Sequence, residues 1–286
     1  MPLTLDVSAT TKTKGNASYF ATACDLAYLP EAEASPKFKE VLGLDAKLVS
    51  VDNTQCYVCS SPTAIVCAFR GSECPNSLDG FKDWLLTNAR NFLVLPEGRA
   101  GTDFAAAGVG ARFHRGFIEA LGEIWDPFYK AVDAEFSRQE RPVYSTGHSL
   151  GGGLAVLAAW RLQRQMIPVQ QVYSFGAPMT GNAAAAEAFA KEFPNRIFRF
   201  VDCRDMVPKL PTVSLLSNEY GHCLTEVLLG DESAAEAAQG TLGTIASKTT
   251  EQVLSLTIMD EIWSHLQSGI AAHLMGSYLK QIDSHV

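Results

Sequence analysis

The chain has 286 residues, 47% of them hydrophobic and 19% charged, with 23 basic against 31 acidic residues and a formal net charge of −8. This length and apolar share can fill a large core, in one α/β domain or two smaller ones. The acidic balance offers no basic footprint for nucleic acid or anionic lipid, so a neutral or apolar partner fits better.

In chain order, residues 46–52 (AKLVSVD), 54–60 (TQCYVCS) and 63–71 (TAIVCAFRG) are β-prone and close together, as neighbouring strands are. An amphipathic helix follows at 115–136, where Phe117, Leu121, Ile124, Phe128, Val132 and Phe136 recur every three or four positions. Residues 141–147, 169–178 and 195–203 read as strands separated by helical stretches. Strands alternating with helices predict an α/β fold with a mostly parallel sheet covered on both faces. A small, polar tract at 230–250 reads as a surface excursion, followed by helical patterns to the carboxyl terminus. No repeat or disordered tract divides the chain, so residues 1–286 are expected to form one domain.

Seven cysteines, an odd number without framework spacing, suit free thiols in a reducing compartment. Cys56 and Cys59 form a C-x-x-C, but three positions apart in a strand they point to opposite faces, and no metal or other cofactor is expected. Residues 1–20 lack the apolar run of a secretory signal, and no apolar run reaches membrane-spanning length. The expected location is therefore cytoplasmic.

Within RPVYSTGHSLGGGLAV, Ser149 stands between Gly147 and Gly151 where a β-prone run meets a helix rich in small residues. Such a tight strand-to-helix turn strains its central residue and needs neighbours without side chains. It lifts Ser149 clear of the carboxyl edge of the sheet and aims the helix's positive end at the same place. A serine hydroxyl is a weak nucleophile until a histidine base, oriented by a carboxylate, takes its proton. With both partners following the serine, carboxylate first, Asp205 is favoured over Asp202 because it lies in a loop past the strand. His222, His265 and His273 all remain candidates for the base on their positions. An oxyanion needs backbone donors already in place. The N–H of Leu150, next after the nucleophile, is one.

The chain resembles the class 3 lipases, the fungal-lipase-like branch of the α/β hydrolases, over residues 60–280. The resemblance is carried in order by AFRGS (68–72), DW (83–84), HRGF (114–117), GHSLGG (147–152), FGAPMTGN (175–182), DMVPKLP (205–211), YGH (220–222) and HLMGSYL (273–279). It implies Ser149 as nucleophile, Asp205 as acid, His273 as base, and Ser72 as the second oxyanion donor beside Leu150. It implies a structural role for His222. Where the family often has Asp before the base, this chain has Ala272.

Forty-one residues separate Ser72 from His114, a long interval for one connection. The resemblance implies a lid there, within 73–112, over an acyl-binding groove. Phe81, Trp84 and Leu85 form the apolar side of its helical part, which suits a lipid surface and an ordinary packed helix equally. The expected activity is cleavage of fatty-acyl esters through an acyl-enzyme. The alternatives are an esterase for short-chain or aryl (feruloyl-type) esters, or a non-catalytic binding module on the same fold.

Overall fold

The computed structural model describes residues 2–72, 93–209, 220–223, 225–230 and 270–286. The strand pattern of the sequence begins at residue 46, and the structure adds two helices ahead of it, α1 (Lys14–Leu26) and α2 (Glu31–Leu42). Both are locally encoded. The Thr13 hydroxyl accepts from the Asn16 N–H at 3.1 Å to cap α1. Gly43, at φ 69°, closes α2 in the left-handed conformation that favours glycine.

The main sheet has seven strands in the order β1-β2-β3-β6-β7-β9-β11. These are β1 (Asp45–Val51), β2 (Thr54–Ser60), β3 (Ile65–Phe69), β6 (Val143–His148), β7 (Val169–Phe175), β9 (Ile197–Asp202) and β11 (Thr225–Leu229). β1, β2 and β3 pair antiparallel, and every pairing from β3 to β11 is parallel. A small second sheet joins β4 (Leu93–Val94), β5 (Phe113–His114), β8 (Gly181–Asn182) and β10 (Tyr220–Gly221). Among the described residues, the helices between them are α3 (Gly98–Ala105), α4 (Arg115–Arg138), α5 (Leu150–Arg164) and α6 (Ala183–Glu192), and α7 (Ile270–His273) and α8 (Met275–His285) end the chain.

Register matters more than strand count. Phe69 stands opposite Gly147, His148 opposite Phe175, and Phe175 opposite Phe200. The parallel strands therefore end level, and the loops leaving β3, β6, β7 and β9 gather at one edge, where open α/β sheets bind ligands.

Each face of the sheet has its own core. On one, Phe117, Leu121, Ile124, Phe128 and Val132 of α4 meet α5, with Phe136 of the same stripe partly buried against them. On the other, α1, α2 and α8 bring Phe20, Phe38, Tyr278 and Ile282 onto the strands. Phe20 stacks on Tyr173 at 4.4 Å between ring centres. Burying each such side chain stabilises the fold by about 1.5–3 kcal/mol. Cys56 lies in the first core and Cys59 in the second, on opposite faces as their spacing requires. A buried ion pair fixes α3 to α5. Asp103 accepts from Arg161 Nε at 3.0 Å, and that guanidinium lies 3.7 Å above the Trp125 ring. Among the described residues, no helix is long and apolar enough to cross a membrane.

Candidate active site

β6 ends at His148, α5 begins at Leu150, and Ser149 alone makes the turn, at φ 56° and ψ −128°. A non-glycine residue holds such a backbone only where its surroundings impose it. Its N–H donates to the Phe175 carbonyl at 2.9 Å, tying the turn to β7. A Cβ on Gly147 would stand 2.1 Å from the Gly151 carbonyl oxygen, and one on Gly151 2.3 Å from that of Phe69. Both glycines are therefore required by close backbone contact.

The Ser149 hydroxyl lies 2.9 Å from His273 Nε2, and His273 Nδ1 lies 2.7 Å from Asp205 Oδ2. Beside a carboxylate, Nδ1 carries the proton and donates it, which leaves Nε2 to accept from the serine. Ser149 and His273 are each 4% exposed and Asp205 1%, so the relay is almost dry. Asp205 is held on both oxygens. Oδ1 accepts from the Val207 N–H at 2.9 Å, while Oδ2 also accepts from the Tyr278 hydroxyl at 2.7 Å. Burial and then the Asp205 charge push the Tyr278 pKa far up, so it stays a donor. Gly176, at φ 59°, gives this cluster room, because a Cβ there would lie 2.9 Å from Asp205 Oδ2 and 3.1 Å from His273 Nδ1.

The candidates left open by position have separate environments. Asp202 accepts from the Arg204 side chain at 2.7 and 2.9 Å and from Ser277 at 3.1 Å, not from a histidine. His222 is bonded to the Pro208 carbonyl, and burial followed by the nearby Arg199 charge lowers its pKa to about 3. His265 lies outside the described residues, as do Phe81, Trp84 and Leu85. Of the interval expected to hold a lid, residues 93–112 are described and contain β4 and α3.

Leu150 opens α5, so its N–H is among the first-turn amides that have no partner within the helix. Ser72 directly follows Gly71, where a Cβ would stand 2.8 Å from the His148 carbonyl oxygen. The loop leaving β3 thus passes against the turn that carries Ser149.

Two contacts had no sequence signal. The Tyr28 hydroxyl lies 2.7 Å from His148 Nδ1, and His148 Nε2 lies 2.6 Å from the His273 carbonyl oxygen. Tyr278, in the last helix, stands out in the sequence only as part of a motif. Their roles arise from tertiary packing.

The class 3 lipase model matches residues 66–215. Among curated proteins, the chain is 36% identical over 104 residues to the secreted mono- and diacylglycerol lipase LIP4 of Malassezia restricta, covering 35% of this chain and 34% of that protein. It is 30% identical over 206 residues to the secreted mono- and diacylglycerol lipase A of Penicillium cyclopium, covering 71% and 60%. The chain thus spans between about a third and three-fifths of the length of these relatives. Among solved structures, the triacylglyceride lipase of Rhizomucor miehei superposes with TM-score 0.56 at 23% identity, over 76% of this chain and 80% of that one. A mutant form of MDLA from Penicillium cyclopium superposes at 0.59 with 24% identity, over 75% and 79%. These two likenesses show the α/β-hydrolase fold.

The cytoplasmic expectation is corrected by the two curated relatives, both of which are named as secreted. Free thiols are a poor guide here because all six described cysteines are buried. Burial pushes Cys24 and Cys67 up to about 12 and Cys223 to about 11. Thiols so protected stay inert in either redox setting.

Proposed function

The chain belongs to the class 3 lipase family, and from that premise we propose that it is a serine carboxylester hydrolase acting on mono- and diacylglycerols outside the cell. The observation that carries this reading is the unbroken run of hydrogen bonds from Ser149 Oγ through His273 to Asp205. A merely structural serine has no need of a strained turn aimed at an oriented imidazole.

In this reading Ser149 Oγ attacks the acyl carbonyl carbon as its proton passes to His273 Nε2. Asp205, steadied by Tyr278 and Val207, stabilises the imidazolium by accepting from Nδ1–H. The N–H groups of Leu150 and Ser72 receive the oxyanion, where one such donor is worth roughly 100- to 1,000-fold in rate. The tetrahedral species collapses when the glycerol oxygen takes the proton from His273, leaving the acyl group on Ser149. Water, deprotonated by His273, then attacks the acyl carbon, releasing the fatty acid and restoring the serine.

The acyl chain and partial glycerides follow from the family and from the names of its relatives, which supports a lipid surface as partner. Hydrolysis of monoacyl-, diacyl- and triacylglycerols, beside p-nitrophenyl esters of graded chain length, tests the assignment. Turnover of partial glycerides above that of short and feruloyl esters supports it. Preference for the short or aryl esters makes the chain an esterase, and no turnover of any ester makes it a binding module.

A further inference from the structure

We propose that Tyr28, on the turn after α1, is a positioning residue for the hydrolysis, acting through His148 on the backbone of His273 and resting on the reading of His273 as base. Tyr28 lies outside the residues matched by the family model. No motif in the sequence singles it out.

The geometry fixes the direction of each bond. A carbonyl oxygen only accepts, so at 2.6 Å from the His273 carbonyl His148 Nε2 must carry its proton. His148 Nδ1 is then the acceptor, and the Tyr28 hydroxyl, 2.7 Å away, donates to it. Neutral His148 supplies one donor and one acceptor, and both are used. Burial, with the neighbouring His273 ring, pushes the His148 pKa well below the ordinary histidine value and keeps this neutral form. The titratable rings facing it are Tyr28 at 5.8 Å, His273 at 4.7 Å and Tyr278 at 5.9 Å between centres.

The same hydroxyl is packed against the segment leading to Ser72, since a Cβ on Gly71 would fall 2.1 Å from it. One phenol therefore touches three segments that chemistry must hold in register: the approach to the oxyanion donor, the residue before the nucleophile and, through His148, the residue carrying the base. His273 is the last residue of α7 and α8 begins at Met275, so the base sits at the break between two helices. A misplacement of about 1 Å in such a group costs on the order of 100-fold in rate. A hydrogen bond fixing the His273 carbonyl counters that displacement.

The experiment compares Tyr28→Phe, His148→Gln, His148→Asn, the double variant Tyr28→Phe/His148→Asn, and Ser149→Ala on a soluble short ester. Wild-type activity that disappears in Ser149→Ala holds the catalytic reading fixed. If Ser149→Ala stays active, that reading has failed, and the tautomer measurement below still tests the contacts. Tyr28→Phe should lower kcat about five- to tenfold, the worth of a buried hydrogen bond, with KM unchanged. Gln can still donate to the His273 carbonyl and Asn cannot, so His148→Gln should keep more activity than His148→Asn. In the Asn background, Tyr28→Phe should add nothing, because its path is already broken. Independently of turnover, ¹⁵N spectra of the histidine side chains should show His148 with its proton on Nε2. The Nδ1 signal should move in Tyr28→Phe. The proposal is overturned by unchanged kcat in Tyr28→Phe, by a rise in KM alone, by additive effects in the double variant, or by a proton on Nδ1.

Discussion

Asp205 and Tyr278, separated by 73 positions in the chain, share a 2.7 Å hydrogen bond in which the phenol donates to the same carboxylate oxygen that receives His273 Nδ1–H. The acid of the relay is thus aimed from two sides. Its other oxygen accepts from the Val207 N–H, so the carboxylate is held at both ends.

Replacing Asp205 with Asn should cost about 10⁴-fold in kcat, because an amide in that place selects the wrong histidine tautomer. Tyr278→Phe keeps the carboxylate and removes one of its donors, so the loss should be about five- to tenfold. Steady-state kinetics on a soluble ester compare the two. Equal losses would mean that Tyr278 does more than orient the acid.

The turn around Ser149 has no spare volume. Gly151→Ala places a methyl 2.3 Å from the Phe69 carbonyl oxygen and 2.7 Å from the Arg70 carbonyl carbon, both backbone atoms that no rotamer change can move. The expected cost is about 3 kcal/mol or more, at or beyond the upper end of usual overpacking. Chemical denaturation should show a lowered midpoint with activity lost. A stable, active Gly151→Ala would contradict the described packing of α5 on β3.

This turn was legible in the sequence because its determinants are local: a β-prone run, a serine between two glycines, a helix rich in small residues. Asp205 was legible for a similar reason, as a polar residue just past a strand. Position alone left the base open among His222, His265 and His273, and the resemblance singled out His273. Tertiary contact supplies the physical reason, separating a histidine bonded to the Pro208 carbonyl from one bonded to Ser149. The contact of Tyr28 with His148 was invisible, since the two are 120 positions apart in the chain. Gly176 carried a motif whose cause appeared only with the cluster it makes room for.

Acid should destabilise the protein early. Burial lowers His114 to about 4 and His222 to about 3, and takes His148 well below its usual value. In the unfolded chain these imidazoles bind protons near 6.5, so between there and about 4 the unfolded state holds more protons than the folded one. Stability is therefore present above about 6.5 and is lost as pH falls through the folded values. Thermal melts from pH 7 to pH 4 should show a falling midpoint. His222→Gln, which keeps a donor for the Pro208 carbonyl, should flatten the slope. A slope unchanged by that substitution would remove His222 from the account.

The most direct measurement is covalent labelling with an alkyl phosphonate directed at activated serines, followed by peptide mass mapping. One adduct per chain is expected, on the peptide containing Ser149, forming in step with the loss of ester hydrolysis. Ser149→Ala should form no adduct, and its residual hydrolysis should fall by about a million-fold. An adduct on another serine, or ester turnover in Ser149→Ala close to that of the unaltered chain, would contradict Ser149 as the nucleophile.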